Sequence, residues 1–146
     1  MTVDVRRSLI NYLWSLLTDD TALKTAMGGT VRMAYNMATP DTLFPYLVHR
    51  IALSADTFYP MGGGVYYLDI WSDSPNGDEA LAIRKLIMNI IDEIEFNTAL
   101  EEATRVRIVW QADTFIGEAE QYIWHRAMMF NLYYFRDAEI AVIDAR

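Results

Sequence analysis

The feature that most constrains this chain is an apolar stripe that follows a short polar elbow. Ala80, Ile83, Ile87, Ile90 and Ile94 recur at three- and four-residue steps, with Leu86 and Ile91 beside them. That period puts the side chains on one helical face, so a helix beginning near Asn76 is predicted to lay its stripe on an apolar surface. The surface is close by in sequence. In YYLDIWS, residues 66–72, Tyr66, Leu68 and Ile70 fall on one side of an alternating strand, and Tyr67, Asp69 and Trp71 fall on the other. Strand, elbow and helix form the central unit, and the rest of the chain has to complete a sheet beneath the helix.

The flanking segments supply that sheet. Leu9, Leu13, Leu16 and Leu17 predict a first helix over about residues 4–18. Asp20 or Thr21 caps a short second helix through TALKTAM, which stops at Gly28-Gly29. VRMAYNM reads as a strand, ATPDTLFP as a Pro-containing connection and YLVHRIAL as a second strand. TRVRIVWQADTFIG and YIWHRAMMFNLYYFR are rich in β-branched and aromatic residues and are predicted to pair as a hairpin. In the last strand, Trp124, Met128, Phe130, Leu132 and Tyr134 share one parity, while Ile123, Met129, Tyr133 and Phe135 occupy the other. Both sides are apolar, so one is expected under the helices and the other, with Tyr133 and Phe135, against another chain. The expected fold is α+β: a mixed, mainly antiparallel β-sheet with a long helix packed on one face and a short N-terminal helical pair. A hydrophobic content of 53% over 146 residues suits one domain, 1–146, with a real core.

Composition limits the chemistry. Twelve basic residues against 20 acidic ones give a formal net charge of -8, which disfavours general attraction to nucleic acid or anionic lipid. The absence of cysteine removes disulfides, thiolate metal sites and thiol nucleophiles, and it fits folding in a reducing cytosol. No apolar segment approaches the ~20 residues that span a bilayer, so no membrane partner is expected. The elbow DSPNGDE lacks the ligand spacing of a calcium loop, and no GxSxG surrounds Ser72 or Ser74. It has a sufficient structural role: Asn76 or Asp78 accepts from first-turn amides, and Asp78 and Glu79 complement the helix dipole. The two histidines, His49 and His125, each lie in a strand without a metal-binding neighbourhood. No cofactor, metal or catalytic residue is expected. The alternative of another class is a metal-dependent hydrolase using Asp69, Asp73 and His49.

Three features point to partners instead. Arg105 and Arg107 alternate on one strand with Trp110 and Trp124 nearby, a set that would suit stacking with single-stranded nucleic acid. The acidic balance favours a solvated face or subunit contact for these arginines. SADTFYPMGGG, residues 54–64, predicts a mobile hairpin loop whose Phe58, Tyr59 and Met61 either anchor a partner or fold back on their own sheet. The end of the chain, 137–146, reads as a frayed tail or an arm that adds to a neighbour's sheet.

The order of these parts resembles the tail terminator, or tail completion, family of long-tailed bacteriophages. The residues that carry the resemblance are Pro45-Tyr46-Leu47-Val48, Asp69-Ile70-Trp71-Ser72 followed by Glu79-Ala80, and the terminal FNLYYFR, and they fall within a likeness covering most of the chain. The resemblance implies a structural virion protein, not an enzyme. Such a subunit closes into a ring, commonly hexameric, caps the finished tail tube and offers its other side to the head connector or neck protein. Its place is the head-proximal end of the tail, with assembly in the host cytoplasm. Genomic DNA would pass through the channel without specific binding. Phe58, Tyr59, Met61, Arg105, Arg107, Tyr133 and Phe135 are then the candidate subunit or tube interface. A head–tail connector is the alternative within virion assembly.

Overall fold

The computed structural model describes residues 5–54, 61–98, 103–117 and 123–136. Three helices, α1 (Arg6–Thr18), α2 (Thr21–Ala26) and α3 (Asp78–Ile91), accompany six strands: β1 (Met33–Tyr35), β2 (Tyr46–Leu53), β3 (Met61–Ser72), β4 (Ile94–Phe96), β5 (Ala103–Gly117) and β6 (Trp124–Arg136). The strands form one sheet in the order β1-β2-β3-β6-β5-β4. Only the β1–β2 pair is parallel; the others are antiparallel, so the expected mixed, mainly antiparallel α+β fold is found.

The alternation read from YYLDIWS and the last strand sets the two faces of the sheet. Tyr66, Leu68 and Ile70 of β3 join Met128, Phe130 and Leu132 of β6 in one buried cluster with Leu9, Leu13 and Leu17 of α1 and Ile83, Ile87 and Ile91 of α3. Burial of this many large aliphatic side chains, at ~1.5–3 kcal/mol each, is the main favourable contribution to folding. The helices occupy this face. No helix among the described residues is long and apolar enough to cross a membrane.

Three expectations need correction. First, α3 is not a long helix: its 14 residues barely exceed the 13 of α1. Ile94 continues the apolar stripe in sequence but starts β4, opposite Ile108. Tertiary bonds end the helix there. Glu93 enters the left-handed region at φ 62° and its N–H donates to Ile108 O at 2.9 Å, while Asp92 Oδ1 accepts the Trp110 N–H at 2.7 Å. Second, the short helices expected at the N-terminus are both present, but they do not pack mainly on each other. Asp20 caps α2 as expected, its Oδ1 accepting the Leu23 N–H at 2.8 Å, but α2 packs more extensively on α3 than on α1. Third, Met61–Gly64 are not loop. They belong to β3, with Gly64 opposite both Leu53 of β2 and Leu132 of β6. Glycine is required here by close approach, since a Cβ on Gly64 would come 2.4 Å from the Ala52 carbonyl oxygen. The remainder of the expected loop, 55–60, and the expected arm, 137–146, lie outside the described residues.

Two local devices hold the ends of the strands. The elbow is consumed by the start of α3. Ser72 Oγ donates to Glu79 Oε1 at 2.8 Å, and Asn76 Oδ1, not Asp78, accepts a backbone N–H, that of Asp78, at 3.2 Å. Gly77 turns the chain at φ 71° against the Trp124 ring. At the other device, the Arg32 guanidinium donates to the carbonyl oxygens of Met27, Leu43, Phe44 and Pro45, at 3.0 to 3.1 Å, and ties the connection before β2 to the end of α2.

Candidate functional site

The face of the sheet away from the helices carries the residues that the core parity leaves over. Register aligns them in rows across the strands. Tyr46 of β2 stands beside Trp71 of β3, and Trp71 beside His125 of β6. The rings stack: Tyr46 on Trp71 at 5.9 Å between centroids, and Trp71 on His125 at 3.8 Å with 16° between the planes. His125 Nε2 lies 3.5 Å from Asp69 Oδ2, an ion-pair distance but too long for a well-formed hydrogen bond. Two rows along, the Arg50 guanidinium covers the Tyr67 ring at 3.8 Å, within cation–π range.

At the far end of this face the structure brings together five of the seven residues expected at an interface. Met61 of β3 is opposite Phe135 of β6, and Tyr133 is flanked by Gly63 and by Arg107 of β5. Arg105 joins them through a bulge. The β5–β6 register shifts between Thr104 and Arg107, Arg105 takes φ 52°, and its N–H donates to Asn97 Oδ1 at 2.8 Å. A non-glycine residue in the left-handed region is uncommon, so the backbone bends there at some cost and aims the Arg105 side chain toward Phe135, whose ring lies 6.0 Å from its guanidinium carbon. Met61 is 48% exposed and Tyr133 is 54% exposed, and both arginines are exposed. The result is an apolar and aromatic patch rimmed by two cations on a chain whose formal charge is -8. Phe58 and Tyr59 lie outside the described residues.

Other sequence expectations separate. Trp110 and Trp124 are on the helix-bearing side, Trp110 opposite Phe130 and beneath Arg84, so they do not join Arg105 and Arg107 in one stacking surface. His49 and Asp69 are on opposite faces: His49 pairs with Leu68 in the core row, and Asp69 lies on the other side. Asp69, Asp73 and His49 therefore do not converge on a common ion. His49 is buried, and its Nδ1 is 2.7 Å from the Tyr66 hydroxyl, with the donor fixed by the imidazole tautomer. Burial lowers the His49 pKa to about 4 and raises that of Tyr66 well above its ordinary value, so both are neutral at pH 7. Such a pair holds strands together and is not poised for proton transfer. Among the described residues, no group of three or more His, Asp or Glu side chains is arranged to hold a metal ion.

The stack of Tyr46, Trp71 and His125 and the Arg50–Tyr67 contact were not foreseen. The alternation within each strand was readable, but these contacts depend on which residue of β2 stands opposite which residue of β3. That register follows from the connections and the core, not from either strand alone.

No protein-family model matches the chain, and no curated protein matches it. Among solved structures the fold is similar to a chain of the virion of a native gene transfer agent (GTA) particle, with a TM-score of 0.70 and 14% identity over 92% of this chain and 99% of that one. A second solved chain is similar with a TM-score of 0.59 and 11% identity, over 90% of this chain and 96% of that one. At these identities the likeness is one of fold.

Proposed function

We propose that this chain is a structural virion protein of the tail terminator kind. The observation that carries the reading is the fold-level likeness to a virion chain, spanning 92% of this chain and nearly all of its counterpart. A likeness over whole chains, with no large addition on either side, favours a shared type of building block. In the reading proposed, several copies close into a ring, six-fold by the resemblance, that caps the finished tail tube and receives the head connector or neck protein. Heterologous contacts that close by rotation make such rings. The patch of Met61, Arg105, Arg107, Tyr133 and Phe135 supports the assembly part of the reading, because exposed aromatic and arginine side chains are the residues that carry contact energy at interfaces. The acidic balance suits a channel that DNA traverses without sticking. In this reading the role is structural, not enzymatic; it is supported by the placement of His49 and Asp69, which the hydrolase alternative would bring together, on opposite faces of the sheet.

Deletion of the gene from a virus that encodes it, with complementation by the intact chain, tests the proposal. Tubes of uncontrolled length without attached heads are expected, and restored length and attachment on complementation. Tubes of normal length that lack heads would make the chain a connector. Normal, infectious particles would end the proposal.

A further inference from the structure

We propose that neighbouring copies of this chain join head to tail, the elbow between β3 and α3 of one copy seating on the Met61–Tyr133–Phe135 patch of the next. The inference rests on the ring reading and names its subunit contact. Patch and elbow lie at opposite ends of β3: Met61 opens the strand, and Ser72, its twelfth residue, leads into the elbow. A strand of that length separates its ends by roughly 35–40 Å, so the two surfaces cannot meet within one molecule. The patch is short of anions. Arg105 and Arg107 are exposed, and neither is in an ion pair among the described residues, although Glu95 stands opposite Arg107 in the register. Beside them Tyr133 and Met61 are about half exposed. Asn97 holds the bulge that keeps Arg105 in the left-handed region, a conformation retained at a cost and common where a partner is met.

The elbow is short of cations. Its own hydrogen bonds use Ser72, Ser74, Asn76 and Glu79. They leave over the carboxylates of Asp73 and Asp78, both exposed and without a partner among the described residues. Carboxylates elsewhere are engaged within the chain: Asp20 at the α2 cap, Asp92 on the Trp110 N–H and Asp113 on Arg84. Between Asp73 and Asp78 the turn exposes Pro75. An apolar ring flanked by two carboxylates matches an aromatic centre rimmed by two guanidiniums, and Arg–carboxylate bonds are among the stronger charged contacts. The elbow is also held in shape, by the Ser72–Glu79 bond and by Gly77 turning at φ 71° against the Trp124 ring, so docking orders little that is not ordered already. A phosphate backbone would suit the two arginines too, but a formal charge of -8 opposes general binding of nucleic acid. Because patch and elbow differ, the contact is heterologous and propagates around a ring instead of stopping at a dimer.

Charge exchange tests the contact in a virus deleted for the gene and complemented in trans. One variant carries Arg105→Asp and Arg107→Glu, aspartate being among the residues that accept positive φ; the other carries Asp73→Lys and Asp78→Lys. Each variant alone presents like charges at the contact, and is expected to be missing from particles although the purified chain unfolds near the native midpoint. Expressed together, the two present opposite charges at every junction of an alternating ring, and incorporation is expected to return. Incorporation of either variant alone, or failure of the mixture while the native chain is incorporated in several copies, would overturn the inference and leave the ring reading in place; the second result would assign the patch to the tube or to DNA. Where a reversed chain does not fold, Met61→Cys and Pro75→Cys replace it, since the chain has no cysteine of its own. Particles treated with a short bismaleimide are then expected to give a ladder of covalent oligomers from the double variant and monomer from either single one, and monomer from the double variant would overturn the inference. Complete particles that lack the native chain would remove the ring reading, and the inference with it.

Discussion

The buried His49–Tyr66 pair makes stability depend on pH in a defined direction. His49 is 1% exposed, hydrogen-bonded at 2.7 Å to a tyrosine hydroxyl that is itself buried, and packed edge-on against the Tyr35 and Tyr66 rings. Charging it requires a cation in a site shut off from water, and this loss of hydration lowers its pKa from 6.5 to about 4. In the unfolded chain the ring protonates near its ordinary value. Between about pH 6.5 and 4 the unfolded state therefore binds the extra proton, and stability falls as pH falls through that window. At 1.36 kcal/mol per pH unit, the loss due to this one group is about 3 kcal/mol across the window, an order-of-magnitude figure. Carboxylates titrate in the same range, so the measurement is a difference. Urea denaturation at closely spaced pH values is compared for the native chain and His49→Gln, which keeps a side chain able to bond Tyr66 and removes the titration. The variant is expected to be less stable at pH 7 but to lose less on acidification, so the gap narrows by about 2 to 3 kcal/mol by pH 4.5. Parallel stability curves would refute the reasoning, because they would mean that His49 protonates as readily folded as unfolded.

Three further outcomes are expected. Ile87→Ala, at the centre of the α3 stripe and fully buried, should destabilise by ~2–5 kcal/mol in chemical denaturation; a loss within the roughly 0.5 kcal/mol usual for surface changes would put the stripe outside the core. Gly64→Ala should cost about 1–3 kcal/mol because its Cβ meets the Ala52 carbonyl, whereas Gly117→Ala, in open space, should leave the thermal midpoint nearly unchanged. Arg32→Met should lose about 1.5–3 kcal/mol by leaving carbonyls at the β2 connection without their charged donor, and hydrogen exchange should quicken first around Leu43–Tyr46.

What the sequence makes readable is local period. The strand YLVHRIAL is found as β2 over Tyr46–Leu53, and the odd and even residues of the last strand divide between the two faces as their alternation requires. The start of α2 is readable for the same reason, since the Asp20 cap depends on neighbours in the chain. The misread positions are those where a distant segment decides. Ile94 has the spacing of a helix residue, but β5 takes its backbone. Gly62-Gly63-Gly64 have the composition of a loop, but strands pair with them on both sides, and β2 leaves room for nothing larger at Gly64. The same limit applies to the site. Tyr133, Phe135, Arg105 and Arg107 are recognisable as surplus to one core, yet their convergence with Met61 depends on a three-strand register and on a bulge held by Asn97. Side chains such as Arg32 and Arg50, whose partners are backbone carbonyls or a ring on another strand, leave no signature in spacing at all.

The most direct test of the central claim is where the protein sits in the particle. Electron microscopy of virions carrying a compact tag on this chain, with particle averaging along the tail, locates the added density. A single ring at the junction between tube and head is predicted. Density repeated along the tube, or confined to heads that have no tail, would contradict the account.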